Sequence, residues 1–165
     1  AGLVLNGSND SMMRLEQYIR TNQNQQWNIK TVWQAGIVNH EAIQVEENIR
    51  YLKLDFPVKL NKKWNGDKYN RLDTLDKYNY TISSIDEPYS LNNLQFDSVL
   101  CVVQKNQSSY IDSLRFTEKY ARGIGLIEKI QFDLYSNLVD TTIPIEKRIT
   151  KGTIYIQKIV GYGKN

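Results

Sequence analysis

The chain has 165 residues, of which 41% are hydrophobic and 24% are charged, a balance typical of a globular protein rather than a disordered one. The formal net charge is only +3, and the lysines and arginines are scattered among acids. This pattern lacks the concentrated basic surface of a nucleic-acid-binding protein, so we expect no nucleic acid among its partners. The chain also lacks the apolar run of about 18 residues that a membrane-spanning helix requires.

The scarcity of cysteine and histidine limits the chemistry further. Cys101 is the single cysteine and His40 the single histidine, so an internal disulfide and a site with two imidazoles are both excluded. A structural zinc site needs several such ligands. We therefore predict neither a metal nor a cofactor. The sequence begins at Ala1 without a signal segment, and we interpret it as a mature chain whose targeting signal has been removed.

The first half of the chain reads as short extended runs. Residues 1–10 carry turn formers and predict a flexible arm. Beyond them, apolar and polar residues alternate, which predicts half-buried strands, with Ile29 and Trp33 on one face of the second strand and Val32 on the other. Residues 47–48 are predicted as a turn, because Asn tolerates the left-handed backbone region. The strands are predicted over residues 12–20, 29–35, 43–45 and 52–56.

The second half alternates strands with turns. Residues 59–77 are predicted as a long surface excursion, because turn residues interrupt the pattern. Residues 86–93 are predicted as a turn, because Pro88 biases the preceding residue away from helix. Gly123 and Gly125 predict a bulge, a sharp bend or a corner between strands. The strands are predicted over residues 78–85, 94–104, 114–121, 126–135 and 153–162, with a polar loop over 136–152.

About nine strands without a convincing long helix predict an all-β, mainly antiparallel fold. We expect one β domain over residues 1–165, built as a single curved sheet. The sheet bends at the paired glycines and forms a half-barrel, an open barrel or a sandwich. Leu100 and Phe132 are expected in its core, so their substitution by alanine should destabilise the fold most.

The search for catalytic groups finds no convincing set. A nucleophile needs an adjacent base, but His40 lies in a polar turn and Cys101 in an apolar run typical of an inert, buried thiol. The paired carboxylates are interpreted as solvated surface, because adjacent acids on a strand point to opposite faces. We therefore predict a protein without enzymatic activity. The carboxylate pairs are Glu46 with Glu47, Asp86 with Glu87, and Asp73 with Asp76.

Aromatic residues are the one unusual enrichment, with 11 tyrosines and 3 tryptophans. Trp27, Trp33 and Trp64 are candidates for a stacking platform that binds a sugar or an apolar ligand. In the alternative that we favour, Trp33 belongs to the core and the tyrosines fill cross-strand pairs.

Five of the ten aspartates are followed by Ser or Thr and then by an aliphatic residue, Met or Thr. This pattern resembles the O-glycosylation sequon of exported proteins of Bacteroides-type bacteria. The alternative is turn chemistry, in which the aspartate side chain accepts a hydrogen bond from the backbone two residues on. A glycan must lie on the surface. The acceptors that the resemblance implies are Ser11, Thr74, Ser113 and Thr141.

Four stretches of the chain resemble one family, and they extend over most of residues 40–165. They are VEENIRYLKLDFPV at 45–58 with KWNG at 63–66, DEPYSLNNLQFDSVL at 86–100, EKYARGIGLIEK at 118–129, and GYGK at 161–164. The family is that of envelope lipoproteins of unknown function in Bacteroides-type bacteria. The element Tyr-Ala-x-Gly-x-Gly-Leu-Ile also resembles exported β-sheet families, some of which have a LolA/LolB-like half-barrel that can hold a lipid.

The resemblance implies an exported outer-membrane lipoprotein that faces the periplasm or the cell surface. Membrane association is expected only through an N-terminal lipid, on a cysteine that this chain does not contain. The resemblance implies no activity, since the family has no catalytic motif.

Three functions remain open at this point. The first is a non-enzymatic binding or scaffold module whose partner is an unknown envelope protein. The second is a carrier of a lipid or another hydrophobic ligand in a half-barrel, which requires a cavity of about 300 Å³ or more. The third is a glycan-binding module that uses exposed aromatic residues.

Overall fold

A computed structural model of the protein describes residues 3–5, 11–70, 78–140 and 142–163, apart from the side chains of residues 3–5 and 11. These residues form eleven strands and one 3-10 turn at Ile145–Lys147, and each strand pair they describe is antiparallel. The all-β, antiparallel fold predicted from the alternation is therefore confirmed. None of these residues forms a helix that is long and apolar enough to cross a membrane.

Contacts between Cα atoms divide the chain into two compact units, Ala1–Val58 with Asn65–Lys77 and Lys59–Trp64 with Tyr78–Asn165. The first unit holds a five-stranded sheet and the second a six-stranded sheet. The strands thus lie in two sheets, where the sequence predicted one. Alternation reports which side chains of a strand share a face, but it does not report which strands are neighbours. The prediction of one domain over residues 1–165 stays a prediction.

The five-stranded sheet contains its strands in chain order: β1 (Leu3–Leu5), β2 (Ser11–Ile19), β3 (Asn28–Val38), β4 (Glu41–Glu46) and β5 (Ile49–Asp55). Part of the predicted N-terminal arm is therefore β1, which pairs with β2. The rest of residues 1–10 lies outside the described residues. The predicted turn between β4 and β5 is confirmed, since Glu47 and Asn48 both have positive φ, as in a two-residue hairpin loop.

The six-stranded sheet has the order β11-β10-β9-β8-β7-β6. Its strands are β6 (Lys63–Asn65), β7 (Asn79–Leu91), β8 (Leu94–Ser108), β9 (Asp112–Ala121), β10 (Gly125–Tyr135) and β11 (Lys151–Lys158). The sequence missed β6, because its three residues are too short to show an alternation.

Strand β7 continues through Pro88, so the predicted turn over residues 86–93 is wrong. Only Asn92 and Asn93 connect β7 to β8. The pairing of β7 with β8 shifts register three times between Ile82 and Tyr89, and Asp86 within this segment has a φ of 56°. A bulged strand tolerates a proline, because the bulge leaves backbone groups without a ladder partner.

The paired glycines form the predicted corner. Gly123 and Gly125 have φ angles of 72° and 105° in the tight loop that joins β9 to β10. A bulge follows, since the register of β10 against β9 shifts between Leu126 and Glu128. As a result Leu126 lies on the same face as Lys129, whereas an unbroken alternation would put them on opposite faces.

Each sheet has its own set of buried apolar side chains. In the first sheet Ile43 lies directly opposite Leu52, and both are buried. In the second sheet Ile82 and Val102 lie directly opposite each other and are fully buried. Each such side chain contributes about 1.5–3 kcal/mol. The predicted core residues Leu100 and Phe132 are only half-buried.

Candidate binding surface on the β2–β3 ribbon

Strands β2 and β3 extend beyond their neighbours as a two-stranded ribbon. Strand β1 pairs with β2 only over Ser11–Met13, and β4 pairs with β3 only over Gln34–Val38. Among the strand pairs that the structure describes, the segments 14–19 and 28–33 therefore have only each other as partners. We call these two segments the β2–β3 ribbon. An isolated two-stranded ribbon is only marginally stable in water. Exposed apolar residues on such a ribbon therefore suggest a function for its surface.

A bulge decides which side chains share a face of the ribbon. Gln17 lies opposite Thr31, but Tyr18 lies opposite Ile29, so Lys30 is the extra residue. Because of it, Ile29 shares a face with Val32 instead of Trp33. The sequence predicted the reverse, since an unbroken period of two hides a one-residue insertion. The only feature of the sequence that could have revealed the bulge is the spacing of three residues between the apolar Ile29 and Val32.

Four exposed apolar side chains lie on this face. Tyr18 and Ile29 are direct cross-strand partners, Val32 lies opposite Glu16 two residues before Tyr18, and Trp27 precedes Ile29 by two residues. Each of the four is between 43% and 58% exposed. We call Tyr18, Trp27, Ile29 and Val32 the ribbon face. An exposed cluster of large apolar side chains is typical of a surface that binds something.

Charged groups border the ribbon face. The guanidinium of Arg20 lies 4.3 Å from the centre of the Trp27 ring, within the range of a cation–π contact. Arg14 forms an ion pair with Glu16 at 2.9 Å, and the Tyr18 hydroxyl donates a hydrogen bond of 2.5 Å to the same carboxylate. This hydrogen bond raises the pKa of Tyr18. The rim is thus held in a fixed arrangement around the apolar residues.

The three tryptophans do not form one platform. Trp27 lies on the ribbon face, whereas Trp33 points to the opposite face of β3 and buries an indole N–H for which the described residues provide no hydrogen-bond acceptor. Trp64 is 7% exposed and packs edge-to-face on Tyr80 at 5.9 Å. The burial of Trp64 and the position of Trp33 count against their predicted stacking role. Sequence reasoning found Trp27 but missed Tyr18, Ile29 and Val32.

An open groove lies elsewhere in the first unit. Ile37, Asn39, His40 and Phe56 line it, and its volume is about 520 Å³. His40 is exposed in a tight turn with a φ of 67°, as its polar context predicts. The groove has both polar and apolar walls. Of these four lining residues, only His40 has a titratable side chain.

Two ion pairs in the six-stranded sheet join a buried carboxylate to a half-buried lysine. Glu128 accepts hydrogen bonds from Lys119 at 2.7 Å and from the Tyr89 hydroxyl at 2.9 Å. Glu118 lies 3.6 Å from Lys129. Burial lowers the pKa of Lys119, but its hydrogen bonds to Glu128 and Tyr89 raise the pKa by more, so the net shift is upward. Lys119 therefore stays protonated at neutral pH and cannot serve as a general base.

The described carboxylates do not form a metal centre. Within the described part of the chain, no three His, Cys, Asp or Glu side chains come together to hold a metal ion. Asp86 accepts hydrogen bonds of 2.5 Å from both Ser98 and Arg122. Glu47 is an exposed turn residue, and Asp73 and Asp76 lie outside the described residues.

The predicted glycosylation acceptors are only partly covered by the structure. Thr74 and Thr141 lie outside the described residues, as does the side chain of Ser11. Ser113 is half-buried in β9. At Asp140 the turn chemistry is present, since Thr142 donates its backbone N–H to this carboxylate at 2.8 Å. The four acceptors stay predictions.

Comparison of the chain with family models, with curated proteins and with solved structures finds no match.

Proposed function

We propose that the protein is a non-enzymatic binding or scaffold module of the cell envelope, and that the ribbon face is its binding surface. The observation that carries the proposal is the ribbon itself. Tyr18, Ile29 and Val32 are about half exposed on one face of two strands that extend past their neighbours, and the exposed Trp27, directly before β3, continues this face. Water contact with such side chains is unfavourable, and a partner that covers them gains about 25 cal/mol per Å² of apolar surface.

The envelope location is part of the same proposal and rests on the resemblance in sequence to envelope lipoproteins of Bacteroides-type bacteria. It places an exported, lipid-anchored protein at the outer membrane, on the periplasmic side or the cell surface. The absence of enzymatic activity belongs to the proposal as well. It rests on the same resemblance, since that family has no catalytic motif.

Site-specific photo-crosslinking in the native host tests this function. Benzoylphenylalanine at position 27 should give an adduct with the partner, because Trp27 lies on the ribbon face. Position 28 is the matched control, since Asn28 is exposed on the opposite face of the same strand. Equal adducts from both positions, or a hydrolytic activity that one or two substitutions abolish, would contradict the proposal.

A second candidate function is glycan binding. Tyr18 and Trp27 bring two aromatic rings to one exposed face, and the loop 22–26 beside them contains only Asn and Gln. Aromatic rings stack on sugars and amides hydrogen-bond to hydroxyl groups, so both elements of a glycan site are present. Glycan-array binding that Trp27→Ala abolishes would favour this function over a protein partner.

The carrier function stays a prediction, with the groove beside His40 as its candidate cavity. Its volume is about 520 Å³, but the groove is open to solvent and does not enclose a ligand. Native mass spectrometry of protein purified from its own host should show a retained lipid if this function is correct.

A further inference from the structure

We propose that the ribbon face docks on a lipid bilayer surface that carries anionic headgroups. The inference rests on the proposed function, because it names the partner of the same surface. It goes beyond an N-terminal lipid anchor, since the contact is made by side chains of the folded protein.

The chemistry of the ribbon face matches the boundary between headgroups and acyl chains. Ile29 and Val32 have no hydrogen-bonding group and are about half exposed, so they suit an apolar phase and cannot recognise a polar ligand. Tyr18 and Trp27 each combine an apolar ring with one polar group, which is the combination favoured at membrane interfaces. The four together present an apolar face with a polar edge, as interfacial segments do.

The charge of the ribbon favours an anionic surface. The ribbon and its end loop, residues 14–33, contain the cations Arg14, Arg20 and Lys30 and one acid, Glu16, so the net charge is +2. Glu16 lies on the ribbon face and is paired with Arg14 at 2.9 Å, which leaves Arg20 and Lys30 to meet an anionic surface. Arg20 lies against the ring of Trp27, so its charge is at the level of the apolar face. A long cationic side chain can keep its charge among headgroups while its stem covers apolar surface. Each cation near an anionic bilayer strengthens binding about fivefold.

The loop at the end of the ribbon adds no opposing charge. Residues 22–26 are Asn and Gln only, and their amides can hydrogen-bond to headgroups. The backbone N–H of Asn24 donates to the side chain of Asn22 at 3.1 Å, which holds the loop in a compact turn. An acidic protein surface would pair with Arg20 and Lys30 but would leave Ile29 and Val32 without an apolar partner, so a bilayer accounts for more of the observed residues.

Vesicle sedimentation of the full chain tests the inference. Vesicles that contain phosphatidylglycerol should bind the protein, whereas vesicles of phosphatidylcholine alone should bind it at least tenfold less, because Arg20 and Lys30 each contribute about fivefold. Trp27→Ala should weaken binding about tenfold or more, and Arg20→Gln about fivefold. Asn28→Ala, on the opposite face of the ribbon, is the control and should bind like the wild type.

Fluorescence adds a readout that reports the position of Trp27. Trp27 is 58% exposed, whereas Trp64 is buried and Trp33 is half-buried on the opposite face, so a blue shift of the emission on addition of anionic vesicles should come mainly from Trp27. Trp27→Phe should lose most of the shift and still sediment with the vesicles.

Several results would overturn the inference. They are failure of the wild type to bind anionic vesicles, equal binding to both vesicle types, and binding that Trp27→Ala leaves unchanged. If a protein adduct still forms at position 27 while vesicles do not bind, the lipid inference fails and the proposed binding function stands. If no partner crosslinks at position 27 and no vesicle binds, both fail.

Discussion

Glu118 is 1% exposed and is the most deeply buried carboxylate among the residues that the structure describes. The ammonium of Lys129 lies 3.6 Å away, and the Tyr120 hydroxyl donates a hydrogen bond to the same carboxylate. A buried ion pair adds little net stability, because desolvation offsets the attraction. Removal of one partner is costly, because it leaves an uncompensated buried charge.

Glu118→Ala is therefore expected to lower the free energy of unfolding by about 3–5 kcal/mol, measured by urea denaturation. Glu87→Ala is the control, since Glu87 is exposed and its substitution should change stability by less than about 0.5 kcal/mol. Replacement of Glu118 and Lys129 together by apolar residues should recover much of the loss. Similar effects of the two single substitutions would contradict the role of the buried pair.

Glu41 makes stability depend on pH. Burial raises its pKa, but hydrogen bonds from Lys68, at 2.6 Å, and from Tyr69 lower the pKa by more, so the net shift is downward. An acid with a lowered folded pKa stabilises the fold above its unfolded pKa of about 4.3, and this contribution is lost as the pH falls through the folded value. The stability gap between the wild type and Glu41→Gln should shrink as the pH falls from neutral to below about 4. A gap that stays constant in urea midpoints would contradict this account.

At the scale of elements, Gly152 controls how closely β11 approaches β10. Its φ is 141°, and an added Cβ would lie 2.2 Å from the carbonyl oxygen of Asp133 in β10. Gly152→Ala should destabilise the protein by more than about 1 kcal/mol, and the amides of β11 should exchange hydrogen faster. Gly161→Ala is the matched control, because its Cβ would meet nothing within 4 Å. Unchanged exchange of the β11 amides in Gly152→Ala would contradict the close approach.

The buried contact between β7 and β8 gives a second test of the same sheet. Ile82 is fully buried against Val102, so Ile82→Ala should cost about 2–5 kcal/mol in urea denaturation. Ile154→Ala is the control in the same sheet, because Ile154 is half exposed on the outer strand β11. Phe132→Ala should cost less than Ile82→Ala, contrary to the expectation from the sequence, because Phe132 is only half-buried. The reverse order would contradict this assignment of the core.

The elements that sequence reasoning placed correctly are those with an unbroken local signal. The paired glycines predicted the corner between β9 and β10, and residues 47–48 predicted their hairpin turn. The wrong assignments of side-chain faces and the wrong turn at residues 86–93 involve bulges, at Lys30 in β3, around Asp86 in β7 and at Ile127 in β10. One inserted residue reverses every assignment of a face beyond it, and a period of two contains no sign of the insertion.

At the scale of the whole molecule, composition and turn signals were sufficient for the all-β class but not for two sheets. The division depends on pairings between distant segments, such as β6 beside β7, which local patterns do not encode. Local patterns were also insufficient to predict the proposed binding surface. Trp27 was recognisable from its residue type, but Tyr18, Ile29 and Val32 join it only through the register of β2 against β3.

The single-domain prediction has its own test. If residues 1–165 form one domain, Leu52→Ala in the first unit and Ile82→Ala in the second should shift one and the same thermal transition. Both residues are fully buried, so each substitution should produce a large, comparable effect. Calorimetry in which each substitution shifts a separate transition would contradict the prediction.

The two ion pairs between β9 and β10 also carry information for folding. Glu118 lies opposite Lys129, and the next residue, Lys119, lies opposite Glu128. If the strands joined one residue out of step, Glu118 would meet Glu128 in one direction of slippage, and Lys119 would meet Lys129 in the other. Either error would place like charges directly opposite each other, and two buried carboxylates would meet in the first case. The four side chains thus favour the native alignment of β9 and β10 over either one-residue slip.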